Sequence, residues 1–168
     1  MASTTAILSP VRGRELVITR ILDAPRDLVF KAWTDRERLL RWWAPKGFTT
    51  PSVSVDLRPG GSFNYCMRSP EGRDFWGKGQ YQEIIKPLLI IYMDSFTDEK
   101  GNTVPASYYG MNPDFPQETL VTVRFIEEPG KTRLTLRHTV IGAAEELEAM
   151  RQGWNEMLDR LEELVTKG

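Results

Sequence analysis

The chain has 168 residues, 40% of them hydrophobic and 27% charged, with 22 Lys plus Arg against 23 Asp plus Glu. Such a composition predicts one globular domain with enough apolar residues for a sizeable core. The near-neutral balance lacks the basic excess that nucleic acids and anionic membrane surfaces select, so no nucleic-acid or membrane partner is expected.

Residues 1–13 mix small side chains with Pro10 and Gly13 and show no periodicity, which predicts a flexible leader ahead of a single domain over 14–168. The start has no signal-peptide pattern, and the lone cysteine, Cys66, offers no internal disulfide, so the expected compartment is the cytoplasm. The longest apolar run, residues 88–93, is far short of the roughly 20 residues that span a bilayer.

Glu15 to Leu22, rich in β-branched residues, reads as a first strand. Pro25 then stands where a helix begins, and Leu28, Val29, Ala32 and Trp33 recur at helical spacing. A second short helix follows, with Thr34 and Glu37 in capping-box spacing and Leu39, Trp42 and Trp43 on its apolar side, stopped by Pro45 and Gly47. SVSVDL, SFNYCM, DFWGKGQYQEII, LLIIYMDSF, TLVTVRFIE and TRLTLRHTV are six further strand-like runs. The separators RPGG, SPEG, KP and EPGK are short, which predicts an antiparallel meander. From Ala143 to Val165, Leu147, Met150, Trp154, Met157, Leu158, Leu161, Leu164 and Val165 recur every three or four residues, the pattern of a long amphipathic helix. Gly153 interrupts its propensity, and close packing against a strand is the expected compensation.

A metal site needs several converging ligands, and the chain has one histidine and one cysteine, so no metal or cofactor is expected. No nucleophile-elbow pattern surrounds any serine, and GKG at 77–79 lies inside a strand pattern with no helix behind it, so it fails as a phosphate loop. His138 shares strand parity with Leu134 and Leu136 and is expected on the core face, either bonded to backbone or touching a ligand. Tyr92, Asp94 and Phe96 share a face, which leaves Asp94 either wetted at a rim or desolvated in an apolar pocket. Between LLIIYMDSF and TLVTVRFIE lie about 20 residues of Pro, Gly, Asn and aromatics, either a surface loop or a lid carrying Tyr108, Tyr109, Met111 and Phe115.

Four stretches, APRDLVFKAWTDRERLLRWWAPKGF, VDLRPGGSFNYCMRSPEG, GKGQYQEIIKP and GWNEMLDRLEELV, together resemble the homologues of the activator of heat shock protein 90 ATPase, within the SRPBCC or START-like superfamily. The likeness runs from about residue 14 to 166, and AWTDRERLLRWWAP is its most specific piece. It implies an α+β helix-grip fold: a curved antiparallel sheet of about seven strands wrapped around the C-terminal helix, with an elongated apolar cavity between them. Similar domains serve as lipid or polyketide binders, cyclases, resistance proteins and co-chaperone modules, so the fold alone does not assign a function. The family has no shared catalytic motif to carry over.

Three functions follow as expectations: binding of a neutral or weakly acidic, largely apolar small molecule, a cyclase or hydratase acting on a polyketide-like substrate through Asp94 or His138, and a co-chaperone-like protein-interaction module. Neighbouring helical residues point about 100° apart, so Trp42 is expected to pack its helix onto the sheet while Trp43 and Phe48 border the cavity mouth opposite the long helix. The expected ligand site lies between the long helix and the concave sheet face, lined by Trp43, Phe48, Tyr65, Tyr92, Phe96, Met150 and Trp154, with Asp94 and His138 as polar groups. The sequence leaves open whether the chain is a monomer or a homodimer.

Overall fold

The computed structural model describes residues 14–140 and 144–167, so the leader expected over 1–13 lies outside the described residues. Its elements are β1 (Arg14–Leu22), α1 (Arg26–Thr34), α2 (Arg36–Trp42), β2 (Thr49–Val55), β3 (Ser62–Arg68), β4 (Asp74–Ile85), β5 (Leu89–Thr97), β6 (Glu118–Glu128), β7 (Lys131–Val140) and α3 (Ala144–Lys167). Seven strands form one antiparallel sheet in the order β1-β7-β6-β5-β4-β3-β2. Strands β2 to β7 are the expected meander, and β1 closes it by pairing with β7. The sheet curves around α3, with α1 and α2 filling one end: this is the helix-grip arrangement.

The helix junction departs from the expected capping box. Thr34 still belongs to α1, and its hydroxyl donates to the Phe30 carbonyl at 3.0 Å. A residue already in the last turn of one helix satisfies the preceding turn instead of starting the next. Asp35 therefore caps α2, its carboxylate accepting the Arg38 N–H at 3.3 Å.

Register sets the concave face. Leu16 lies opposite His138, His138 opposite Val121, and Val121 opposite Tyr92, so these four side chains share one side of the sheet. Leu134, Leu136, Val123 and Phe125 continue that side and are fully or almost fully buried. Cys66 alternates with Tyr65 on β3 and faces the other way. It therefore points away from His138, and burial pushes its thiol up to about 11.

Gly77 and Gly79 of β4 explain the GKG run. A Cβ at Gly77 would lie 2.5 Å from the Tyr65 hydroxyl, and one at Gly79 would collide with the Phe63 ring. With both Cβ atoms missing, the β3 rings lie across β4 and reach β5. Phe63 meets Tyr92 edge-on at 5.0 Å, and the Tyr65 hydroxyl donates to Asp94 Oδ1 at 3.0 Å.

Two arginines hold α3 in place. Arg20 of β1 reaches Asp159 at 2.7 Å and the Asn155 side chain at 3.1 Å. Arg160 donates to the Ala44 carbonyl at 2.7 Å, tying the turn after α2 to the helix.

Candidate functional site

Between the concave sheet face and the first half of α3 lie two adjoining cavities of about 280 and about 200 Å³ that share Asp94, His138 and Met150. The inner one is walled by Trp43, Tyr65, Tyr92, Gly153 and Trp154. Phe96, Met111, Phe115, Thr119 and Glu146 wall the outer one. For scale, a dry apolar cavity of about 150 Å³ holds benzene, so the larger space admits a molecule of one or two rings.

Trp42 and Trp43 divide as their angular separation requires. Trp42 is fully buried, and its indole N–H donates to the Ala32 carbonyl at 2.9 Å, fastening α2 to α1. Trp43 is the residue at which α2 ends, with φ −82° and ψ 64°. Its ring packs edge-on against Phe63, Tyr65 and Trp154 at 5.3, 5.5 and 5.7 Å. It is buried and forms part of the cavity wall.

Asp94 sits where the two cavities meet, half-buried, with the Tyr65 hydroxyl as the single hydrogen-bond donor to it among the described residues. Burial raises its carboxyl to about 7, and the Tyr65 hydrogen bond opposes that rise. The same burial raises both Tyr65 and Tyr92 well above the ordinary phenol value, with Asp94 as a second cause. Asp94 thus stands between the two alternatives left open by alternation: half-buried where the cavities meet, with burial as the cause that raises its carboxyl.

His138 is buried on the core face, but side chains and not backbone hold it. The Trp154 indole N–H donates to Nδ1 at 3.1 Å, so Nδ1 is the bare nitrogen and the proton rests on Nε2, 2.8 Å from the Thr119 hydroxyl. Burial lowers its pKa to about 4. With both nitrogens engaged, the ring is a neutral strut fixing Trp154, not a free base.

Phe48 does not line the cavity. Arg160 holds the Phe48 carbonyl against α3, and the Phe48 ring lies 6.3 Å from Phe75, beside a solvent-facing groove with Lys46 and Glu156. The segment expected as a lid divides. Tyr109 is buried, donating its hydroxyl to the Thr97 carbonyl at 2.5 Å and accepting the Trp76 N–H at 3.1 Å, so it pins the segment to the sheet end. Tyr108 is 58% exposed and touches no cavity. Only the stretch from Met111 to Gln117 borders the outer cavity.

Sequence reasoning missed Thr119, Gly153 and Glu146 as wall residues, and the role of Gly77 and Gly79. For the glycine pair a signal existed: two glycines on one strand face, flanked by aromatic strands, mark a close approach of side chains. Among the described residues no cluster of three or more His, Cys, Asp or Glu side chains is arranged to hold a metal ion, and no helix is long and apolar enough to cross a membrane.

Comparison with curated proteins found no match. Solved structures do match. A protein from Chromobacterium violaceum is 25% identical with a TM-score of 0.74, covering 90% of this chain and 96% of that one. One from Mycobacterium smegmatis is 27% identical with a TM-score of 0.69, covering 90% and 87%. The AHSA1 protein from Silicibacter pomeroyi, at 23% identity and a TM-score of 0.73, covers 92% of this chain and 100% of its own, and shares the fold. The family model described as "Activator of Hsp90 ATPase homolog 1-like protein" matches residues 23–166, and the chain belongs to that family.

Proposed function

We propose that the chain binds a largely apolar small molecule in the space between the concave sheet face and the first half of α3. The observation that carries this reading is an aromatic cavity with a few convergent polar groups. Trp43 Nε1 and Tyr92 Oη are buried in its wall without a hydrogen-bond partner among the described residues. Both atoms are closed off from solvent, so the polar group that the wall offers a ligand is the half-buried Asp94 carboxyl, set among the ring faces. The rings supply area: each contact removes apolar surface from water at about 25 cal/mol per Å².

A second reading, proton transfer to a polyketide-like substrate, is favoured by one observation, the Asp94 carboxyl held near 7. A general acid or base works best with a pKa close to the operating pH. His138 gives that reading no second group, because both its nitrogens are engaged.

The test uses the fluorescence of N-phenylnaphthylamine, a neutral apolar probe. The unmodified protein is expected to enhance it, and Met150→Trp, which places a larger ring in both cavities from a half-exposed position, is expected to abolish the gain without unfolding the protein. Asp94→Asn leaves this neutral probe's binding unchanged. Probe binding that survives Met150→Trp would put the site elsewhere.

A further inference from the structure

We infer that the ligand of this cavity is an organic cation, a protonated amine carried on an apolar body, with Asp94 as its counter-ion and the surrounding aromatic rings as its cage. The inference rests on the cavity reading above and narrows it to a charge class.

Among the described residues, the charged side chains that line the cavity are of one sign. Two carboxylates, Asp94 and Glu146, line the combined space, and among the described residues no lysine or arginine does. Glu146 accepts from the Asn112 side chain at 3.0 Å. Asp94 receives only the Tyr65 hydroxyl and has no ion pair among the described residues. His138 contributes no positive charge, since the indole N–H of Trp154 occupies Nδ1. A half-buried carboxylate facing a cavity that no cationic side chain among the described residues lines leaves one complement missing from the wall, and a ligand ammonium supplies it.

The rings suit the same group. Trp43, Tyr65, Tyr92 and Trp154 all border the inner cavity, with Trp43 within 5.5 Å of Tyr65 and 5.7 Å of Trp154 between ring centroids. Electron-rich rings around a carboxylate attract an ammonium through their quadrupoles, while the ligand's apolar part covers the remaining ring surface. An anionic ligand such as a fatty acid would set a second negative charge beside Asp94 in the same poorly solvated space. A neutral ligand leaves the carboxylate without its counter-charge.

Proton linkage adds an independent signature. The groups facing Asp94 are Tyr65 from β3, Tyr92 on its own strand, His138 from β7 and Glu146 from α3. Asp94 titrates near 7, so it gains its charge as the pH rises through neutrality, while an aliphatic amine stays protonated. Ammonium binding therefore strengthens from about pH 6 to about pH 8, whereas binding of a neutral analogue does not.

Phenethylamine, phenethyl alcohol and phenylacetate share one shape and differ in charge, and calorimetric titration of the intact protein with each is the test. At about pH 8 the amine is expected to bind about tenfold or more tighter than the alcohol, with the acid weakest. Asp94→Asn, which keeps the size of the side chain, is expected to bring the amine down to the alcohol's affinity and leave the alcohol unchanged. The pH profile of the unmodified protein serves the same purpose without a variant. An alcohol that binds as tightly as the amine, or an amine preference indifferent both to pH and to Asp94→Asn, overturns the cation assignment and leaves the cavity reading standing. Failure of the amine, the alcohol and N-phenylnaphthylamine to bind at all overturns both.

Discussion

The two halves of α3 carry the same apolar spacing and meet opposite fates. From Leu158 onwards the inner stripe is sealed: Leu158, Leu161 and Val165 are buried, Leu158 and Leu161 completely, while Trp154 and Met157 stand at the end of the cavity. Before Trp154 the stripe continues through Leu147 and Met150, yet both are only half-buried, and Met150 borders the cavities. The difference lies in what faces each half. Helices α1 and α2 bring Trp33, Trp42 and Trp43 under the second half, where Trp33 stacks on Trp154 at 6.0 Å. The first half faces the sheet and the Met111–Gln117 segment, with no helix to fill the gap. Helical periodicity thus identifies the stripe that looks at the sheet, while the distance at which the sheet stands is decided by other elements.

Truncation on either side of this boundary separates the halves. Trp154→Ala removes a ring packed against Trp33, Trp43 and His138 and frees Nδ1 of His138, and is expected to cost about 3–5 kcal/mol in denaturant unfolding. Met150→Ala, one turn earlier on the same stripe, is expected to cost less than about 1 kcal/mol because its site is already half open. Equal losses at the two positions would mean that the helix packs uniformly along its length.

Gly77→Ala tests the floor beneath the open half. The new Cβ would meet the Tyr65 ring, at 2.5 Å from its hydroxyl and 2.6 Å from Cζ, so the ring must move away from Asp94. A loss of about 1–3 kcal/mol is expected, in the range of overpacked cores. Because the Tyr65 hydrogen bond holds the Asp94 carboxyl down, its disruption should raise that pKa further, which carbon NMR titration of the carboxylate reads directly. A variant of unchanged stability and unchanged titration would show that β4 does not need its glycines to let the rings cross.

The sealed half was the more legible in sequence, and the reason is physical. Strand alternation and helical spacing report which side chains share a face and led to the strands and the long helix, while the short separators led to the meander of β2 to β7. Tyr65, Tyr92, Asp94, Phe96, Met150 and Trp154 also meet at the cavities because the strand parity assumed for them is the observed one. Phe48 was misplaced because its position depends on Arg160 gripping the carbonyls of the turn, a contact between residues more than a hundred positions apart. The pinning role of Tyr109 was not legible because nothing local marks a buried hydroxyl that bridges two strands. The partners of His138 were unreadable for the same reason: Thr119 and Trp154 lie on different elements.

The open half should also carry the stronger pH dependence. Asp94 is raised from 3.8 to about 7 in the folded chain, so its ionisation favours unfolding, and stability present below about pH 4 is lost as the pH rises through 7. His138 moves the other way, from 6.5 down to about 4, so its contribution is present above 6.5 and lost as the pH falls through 4. Asp94→Asn removes the first effect and leaves the second. Against the unmodified protein, the variant is expected to gain more than about 1 kcal/mol at about pH 8 relative to its standing at about pH 5. A stability difference that stays flat between those two conditions would place the Asp94 carboxyl in water.

The smallest effect falls on the boundary itself, at Gly153. A glycine inside a helix is less favourable than alanine by about 1 kcal/mol, and the expected compensation, a strand packed too closely for a Cβ, is absent: a Cβ built there meets nothing within 4 Å. Gly153 borders the inner cavity beside Trp154. An added methyl group therefore enters open space and keeps the full gain in helix propensity. Gly153→Ala is expected to raise the unfolding free energy by up to about 1 kcal/mol and to leave N-phenylnaphthylamine binding intact, since one methyl takes little of the inner space. Gly153→Leu carries a side chain long enough to reach across that space, so it should keep the helix gain and lose the probe. If Gly153→Ala proves destabilising, the helix stands closer to the sheet at this point than its open geometry indicates, and the boundary between the sealed and open halves moves towards the N-terminus of α3.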